Sequence, residues 1–289
     1  MVSDAALPDF AAYQKALRLA ANTITNRHHI LTHLAHRTGR PLLELTTADL
    51  RKHLGRDGIK IGTARTERSA IVAFYTYAHS EGLIDVDPSA RLAPIRLPKA
   101  KPRPFTREQI DAMLTTGAYR KTRAMILLGY YQGFRVSSIA AVHGHDIDLL
   151  SGTIRSIVKG SKPLVFPLHP VIAELAKTMP ADDYWFPARG GKSGHILPAS
   201  VSDQIHDAKV RAGIRDPQLT AHSLRHSFGT DLVEAGVDIR VIAELMGHES
   251  VATTQIYTEV SAERKRSGLH ALEGGKVPVR SGRRTLDAA

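Results

Sequence analysis

Several separated fragments of this sequence carry side chains suited to work on an anion. The run His222-Ser223-Leu224-Arg225 sets an imidazole and a guanidinium three residues apart, so on a helix the two share a face and can converge on one point. Gly133-Phe134-Arg135 places an arginine just after the apolar stretch 125–131, where burying its charge is costly unless an anion meets it. Lys159-Gly160-Ser161-Lys162 adds two ammonium groups in a turn-prone segment. Gly247-His248 supplies another imidazole, with Tyr257 following nine residues later. Together these groups offer charge stabilisation, proton transfer and an oxygen nucleophile. Cysteine is absent, which excludes thiolate catalysis, disulfides and Cys-ligated zinc. His222 and His226 stand at zinc spacing, but Ser223 occupies the position where the His-Glu-x-x-His pattern needs its glutamate, so no metal is expected. Taken singly, each residue is as much at home as a surface charge or a half-buried core side chain. Their joint occurrence argues for a site.

Such side chains need a scaffold, and 289 residues at roughly 100–200 per domain suggest two. Apolar residues recur at helical spacing through the first part of the chain. Phe10, Leu17 and Ala21 mark one stripe, and Leu31 and Leu34 a second that ends near Gly39. Thr47 to Leu54 forms a third, closed by Gly55, and Ala70, Phe74, Tyr77 and Ala78 a fourth. The reading is an all-helical N-terminal domain over 1–91. Residues 92–104 combine Pro94, Pro98, Pro102 and Pro104 with Arg96, Lys99, Lys101 and Arg103 and contain no acid. This basic linker is either a solvated hinge or a strap along a polyanion's backbone.

A second domain is expected over 105–273. It opens at Thr106, whose hydroxyl can cap a helix while Gln109 reaches back, with Gly117 as the stop. The almost wholly apolar run 125–131 predicts a central buried helix. Thr153–Val158 and Leu164–Leu168 predict a β-hairpin around Lys159. His143-Gly144-His145 is placed in a solvent-facing loop before Asp146-Ile147-Asp148. Helices return from Leu219, with Asp238 and Ser250 as caps and Gly236 and Gly247 as stops. Residues 274–289 read as a disordered tail. The fold class is mainly α: a helical N-terminal domain and an α+β second domain with a small hairpin or sheet.

Composition narrows the partner. With 39 Lys and Arg against 28 Asp and Glu, the formal charge is +11, while 43% hydrophobic residues give an ordinary folded chain. The excess charge points to a polyanion. No run approaches the roughly 18–20 apolar residues of a membrane-spanning helix, and the N-terminus lacks a signal-peptide pattern. A cytoplasmic protein that binds no membrane is expected.

Read in order (Arg, hairpin Lys, His-x-x-Arg, Gly-His, Tyr), these residues resemble the tyrosine recombinases, the family of phage integrases and Xer-type recombinases. The resemblance covers nearly the whole chain and is densest from His222 to Phe228, at Leu245-Met246-Gly247-His248 and from Thr253 to Thr258. It implies a core-type DNA-binding domain followed by a catalytic domain whose catalytic residues are Arg135, Lys159, His222, Arg225, His248 and Tyr257. The sequence departs from the pattern at Ser138, where an acid is common; Asp146 or Asp148 is the expected substitute support for Arg135. In the implied chemistry, Arg135 and Arg225 hold the phosphate oxygens, Tyr257 forms a 3′-phosphotyrosine, and His222 takes or relays the phenolic proton. His248 donates to a phosphate oxygen, and Lys159 protonates the leaving 5′-oxygen. No cofactor is implied. The expected function is site-specific recombination of double-stranded DNA attachment sites, as in a small phage or mobile-element integrase without an arm-binding domain, acting as a homotetramer in a bacterial host cell. Leu269 and Leu272 would dock on a neighbouring protomer. A Xer-like resolvase and a type IB topoisomerase are the enzyme alternatives. A non-catalytic helical DNA-binding regulator would account for charge and helices but has no use for Tyr257. The terminal Ala288-Ala289 resembles tags read by bacterial Clp-type unfoldases; a merely disordered end is the alternative.

Overall fold

The computed structural model describes residues 6–98, 103–157, 163–188, 190 and 193–247. The chain divides into two compact units, Met1–Ala100 and Lys101–Ala289.

The first unit consists of α1 (Ala6–Ala16), α2 (Ala21–Thr38), α3 (Thr47–Leu54) and α4 (Ile61–Ser80). Phe10, Leu31, Leu34, Leu42, Leu50, Ile71, Phe74 and Tyr75 fill its core. Helix α3 starts at a reciprocal capping box between Thr46 and Asp49, and Gly39 ends α2 in the left-handed conformation, φ 68°. The stripe Phe10–Leu17–Ala21 does not form one helix. α1 stops at Ala16 because Arg18 turns left-handed, φ 57°, with Arg18 N donating to Lys15 O (2.9 Å) and Leu19 N to Gln14 O (3.2 Å), a Schellman ending. An arginine stands where glycine usually does, so the sequence carries no stop signal, and Leu17 is left 55% exposed. Arg56 forks onto the Glu67 carboxylate with two bonds of 2.7 Å, and His53 Nε2 lies 2.9 Å from the same group, tying the end of α3 to α4. Beyond α4, Thr47 donates to Pro88 O (2.7 Å) and Arg68 to Leu92 O (2.6 Å). Leu92, expected to open the linker, is buried in this unit's core.

The second unit comprises α5 (Arg107–Ala112), α6 (Arg120–Tyr131), α7 (Val136–Ala140), β1 (Ile147–Asp148), β2 (Thr153–Ile157), β3 (Pro163–Pro167), α8 (Pro170–Ala176), α9 (Pro198–Arg211), α10 (Ala221–Glu234) and α11 (Ile239–Leu245). The central buried helix is α6, which packs against α8, α9 and α10. Ala124, Ile126 and Leu128 are sealed from solvent with Trp185, Phe186, Val201, Ile205 and Leu224 around them. Thr106 and Gln109 form the expected capping box. Gly117 does not stop a regular helix: the chain passes through a π-helical turn, Met113–Gly117. The hairpin is antiparallel, with Ile154 opposite Phe166 and Ile157 opposite Pro163. β1, a strand the sequence does not announce, adds a third strand through Ile147 opposite Ile154. Two residues are too short to show alternation, so this strand exists only by pairing. The two histidines before it part ways. His145 is exposed and pairs with Asp182 at 3.0 Å, whereas His143 is half-buried, its ring against Tyr184, because it caps the following turn. Among the described residues no helix is long and apolar enough to cross a membrane.

Candidate active site

Arg135 reaches its place by a reversal after α6. Gly133 has φ 62°, a conformation that L side chains adopt only with strain, and a Cβ there would lie 2.5 Å from Cδ1 of Phe228. The turn delivers Arg135 as the N-cap of α7. His222 and Arg225 sit in the first two turns of α10, which starts at a capping box between Thr220 and Ser223. The helix points the pair differently: His222 is exposed, while Arg225 is 3% exposed.

A guanidinium buried to that degree requires acceptors, and backbone carbonyls provide them. Arg225 Nη1 donates to Gly133 O at 2.5 Å, and Nη2 donates to Met246 O. Arg225 thereby joins the turn that delivers Arg135 to the end of α11, from which the chain continues to His248. α11 is capped by Asp238, whose carboxylate accepts from Arg240 N at 2.8 Å, and Ile242 and Met246 pack against Phe228 and Leu232.

Electrostatics place the three groups in one neighbourhood. Desolvation, followed by the charges of Arg225 and Arg135, lowers the pKa of His222. The ring of His226, edge-on to that of His222 with centroids 4.7 Å apart, is pushed down to about 4 by burial and then by His222 and Arg225. Both shifts favour the neutral imidazole, the form in which His222 can accept a proton. Two guanidinium groups beside a neutral imidazole can bind an anionic phosphodiester and take up a proton nearby.

Arg135, His222 and Arg225 are thus gathered. Lys159, His248 and Tyr257 lie outside the described residues, as do Lys99, Lys101 and the tail with Ala288 and Ala289. Of the linker cations, Arg103 is exposed and Arg96 borders a hollow of about 630 Å³ with Arg65 and Arg68. Ser138 is buried on α7. The acids expected to support Arg135 are engaged elsewhere: Asp146 binds Arg155 Nε and the His143 amide, both at 3.2 Å, and Asp148 accepts from the amides of Leu150 (2.9 Å) and Ser151 (3.0 Å). Loop closure uses these carboxylates because the amides of a tight turn are their nearest donors. Two features had no signal in the sequence: the grip of Arg225 on carbonyls, and Gln132, whose side chain bonds the end of β3.

The model of the phage integrase family matches residues 103–264. The chain is 34% identical over 230 residues to the tyrosine recombinase XerD of Caulobacter vibrioides, covering 73% of this chain and 74% of that protein. It is 33% identical over 228 residues to the tyrosine recombinase XerA of Thermococcus kodakarensis, covering 74% and 76%. A lambda integrase dimer bound to a COC′ core site superposes with a TM-score of 0.70 at 19% identity, over 95% of this chain and 79% of that one, which shows a shared fold.

Proposed function

The chain belongs to the phage integrase family of DNA recombinases, and from that premise we propose that it cuts and rejoins double-stranded DNA through a 3′-phosphotyrosyl intermediate at a site built on Arg135, His222 and Arg225. The observation that carries this reading is the bond from Arg225 to the carbonyl of Gly133, two residues before Arg135, with His222 three residues before Arg225 on α10. In the proposed step, Tyr257 Oη attacks the scissile phosphorus and the bond to the 5′-oxygen breaks. Arg135 and Arg225 offset the charge that builds on the non-bridging oxygens. His222 accepts the phenolic proton, His248 donates a hydrogen bond to the phosphate, and Lys159 protonates the departing oxygen. Attack by the 5′-hydroxyl of another strand reverses the step and reseals the DNA. The phosphotyrosine ester conserves the energy of the broken bond, so no nucleotide cofactor is needed.

The helical first unit is the proposed core-type DNA-binding domain, with Arg96, Lys99, Lys101 and Arg103 crossing the backbone. Four protomers on two attachment sites would form the synapse, in the cytoplasm of a bacterial host. Integration and excision of phage or mobile-element DNA is the leading biological reading. The XerD and XerA relatives favour chromosome or plasmid resolution as the second. An integrase joins two attachment sites of unlike sequence, a resolvase two like sites, and recombination of paired plasmid substrates separates them. The chemistry is tested on a nicked suicide duplex carrying the attachment site. The wild-type chain gives a covalent adduct on a denaturing gel, and Tyr257→Phe gives none while still binding DNA. An adduct that persists in that variant sinks the nucleophile assignment.

A further inference from the structure

Gln132 stands between Tyr131, the last residue of α6, and the Gly133 turn that delivers Arg135, and it is only 5% exposed. Its side chain makes two bonds to one place. Nε2 donates to Pro167 O at 2.7 Å, and Oε1 accepts from His169 N at 3.2 Å. The partners fix the orientation of the amide, because a carbonyl can only accept and a backbone N–H can only donate. Both lie at the junction where β3 ends and α8 begins. A second strap joins the same two segments: the rings of Phe134 and Phe166 meet edge-on at 6.0 Å, and Phe166 pairs with Ile154 across the hairpin. The four residues 132–135 therefore grip β3 with Gln132 and Phe134, supply the Arg225 acceptor with Gly133, and present Arg135.

We propose that Gln132 is a positioning residue for proton delivery: by fastening the β3–α8 junction to the turn before Arg135, it sets the register of the β2–β3 hairpin against the phosphate-binding arginines. The hairpin is the element whose connecting segment contains Lys159, four residues before β3 starts at Pro163, and the inference rests on the general-acid role proposed for Lys159. Two unlike contacts, one polar and one aromatic, bind the segment of the first catalytic arginine to the strand that follows the lysine. A merely stabilising glutamine could sit anywhere along α6. This one lies at the point where the segment carrying Arg135 and the hairpin strand meet.

The test uses the full chain and two suicide duplexes, one ordinary and one with sulfur in place of the bridging 5′-oxygen. A 5′-thiolate leaves without a proton, so cleavage of the second duplex bypasses the general acid. Gln132→Met keeps the length of the side chain and removes both bonds. On ordinary DNA it should form adduct about tenfold to a hundredfold more slowly, the scale of a misplaced catalytic group, and on the sulfur duplex at nearly the wild-type rate. Lys159→Ala run in parallel should be rescued in the same way. If Lys159→Ala is rescued and Gln132→Met is equally slow on both duplexes, Gln132 only supports the fold and the proposal fails. It also fails if Gln132→Met cleaves ordinary DNA at the wild-type rate. If Lys159→Ala is not rescued, the general-acid reading falls and takes this role of Gln132 with it. Should Gln132→Met not fold, Gln132→Glu, which keeps the acceptor for His169 N and loses the donor to Pro167 O, is read by the same ratio between duplexes.

Discussion

Replacing Gly133 by alanine tests whether the turn before Arg135 is built as described. Two costs fall on the variant. The φ of 62° places an L residue in the left-handed region, at about 1 kcal/mol. The new methyl would stand 2.5 Å from Cδ1 and 2.7 Å from Cε1 of Phe228. That ring is held against Ile242 and Met246, so relief requires the core to move, at about 2 kcal/mol more. The expected loss is about 3 kcal/mol, or a fall of about 1.5 M in the urea midpoint at a typical m-value near 2 kcal/mol/M. The chain contains one tryptophan, Trp185, 1% exposed in the core of the second unit, so its fluorescence follows unfolding of that unit alone. Gly152→Ala provides the control. Its φ is also 63°, but nothing lies within 4 Å of the added Cβ, so it bears the strain without the clash and should lose only about 1 kcal/mol. If Gly133→Ala is no less stable than Gly152→Ala, the packing of Phe228 on the turn is wrong. The same methyl displaces the carbonyl that Arg225 grips, so adduct formation should fall as well.

Three other perturbations bear on the rest of the molecule. His226 titrates near 4 in the fold and near 6.5 when unfolded. The unfolded chain therefore takes up the proton first as pH falls, and stability of the second unit should drop from pH 6.5 toward pH 4; a Trp185 melt whose midpoint is flat over that window contradicts it, and His226→Gln should reduce the slope. Glu67→Ala leaves Arg56 and His53 without their shared carboxylate and should destabilise the first unit by about 3 kcal/mol, visible by far-UV circular dichroism while the Trp185 transition stays in place. Changing Arg96, Lys99, Lys101 and Arg103 to glutamine should flatten the plot of log affinity for DNA against log salt by about 0.9 for each phosphate no longer neutralised, and an unchanged slope would make the linker a passive hinge.

Features encoded by neighbouring residues can be read from the sequence. The bounds of α3 and the box between Thr106 and Gln109 depend on side chains a few positions apart, and Gly39 ends α2 because glycine adopts positive φ freely. The break at Arg18 escapes such a reading because an arginine takes the glycine position. β1 escapes it because two residues acquire strand character only from a partner. The site divides in the same way. Residue types and spacing single out Arg135, His222 and Arg225, and family resemblance assigns their roles. The bonds that hold Arg225 run from its side chain to carbonyls 92 and 21 residues away, and a carbonyl is present at every position, so no pattern of residue types could mark these two.

The grip of Arg225 also constrains what lies beyond it. Were the last turn of α11 to fray, Met246 O would swing away and a buried cation would lose one of its acceptors, a change the low-dielectric interior opposes. Helix α11 thus ends at a moored point, ahead in sequence of His248 and Tyr257, and the charge proposed to serve the phosphate also resists unwinding at that point. Because the mooring uses main-chain oxygen, the side chain at 246 can vary without releasing it, whereas exchanging Arg225 for lysine would not preserve it: one ammonium lacks the planar fork that spans two carbonyls. Under the proposed mechanism, loss of activity in such a variant would combine a weaker hold on phosphate with a looser end to α11, and comparing adduct formation with protease sensitivity at the end of α11 would separate the two.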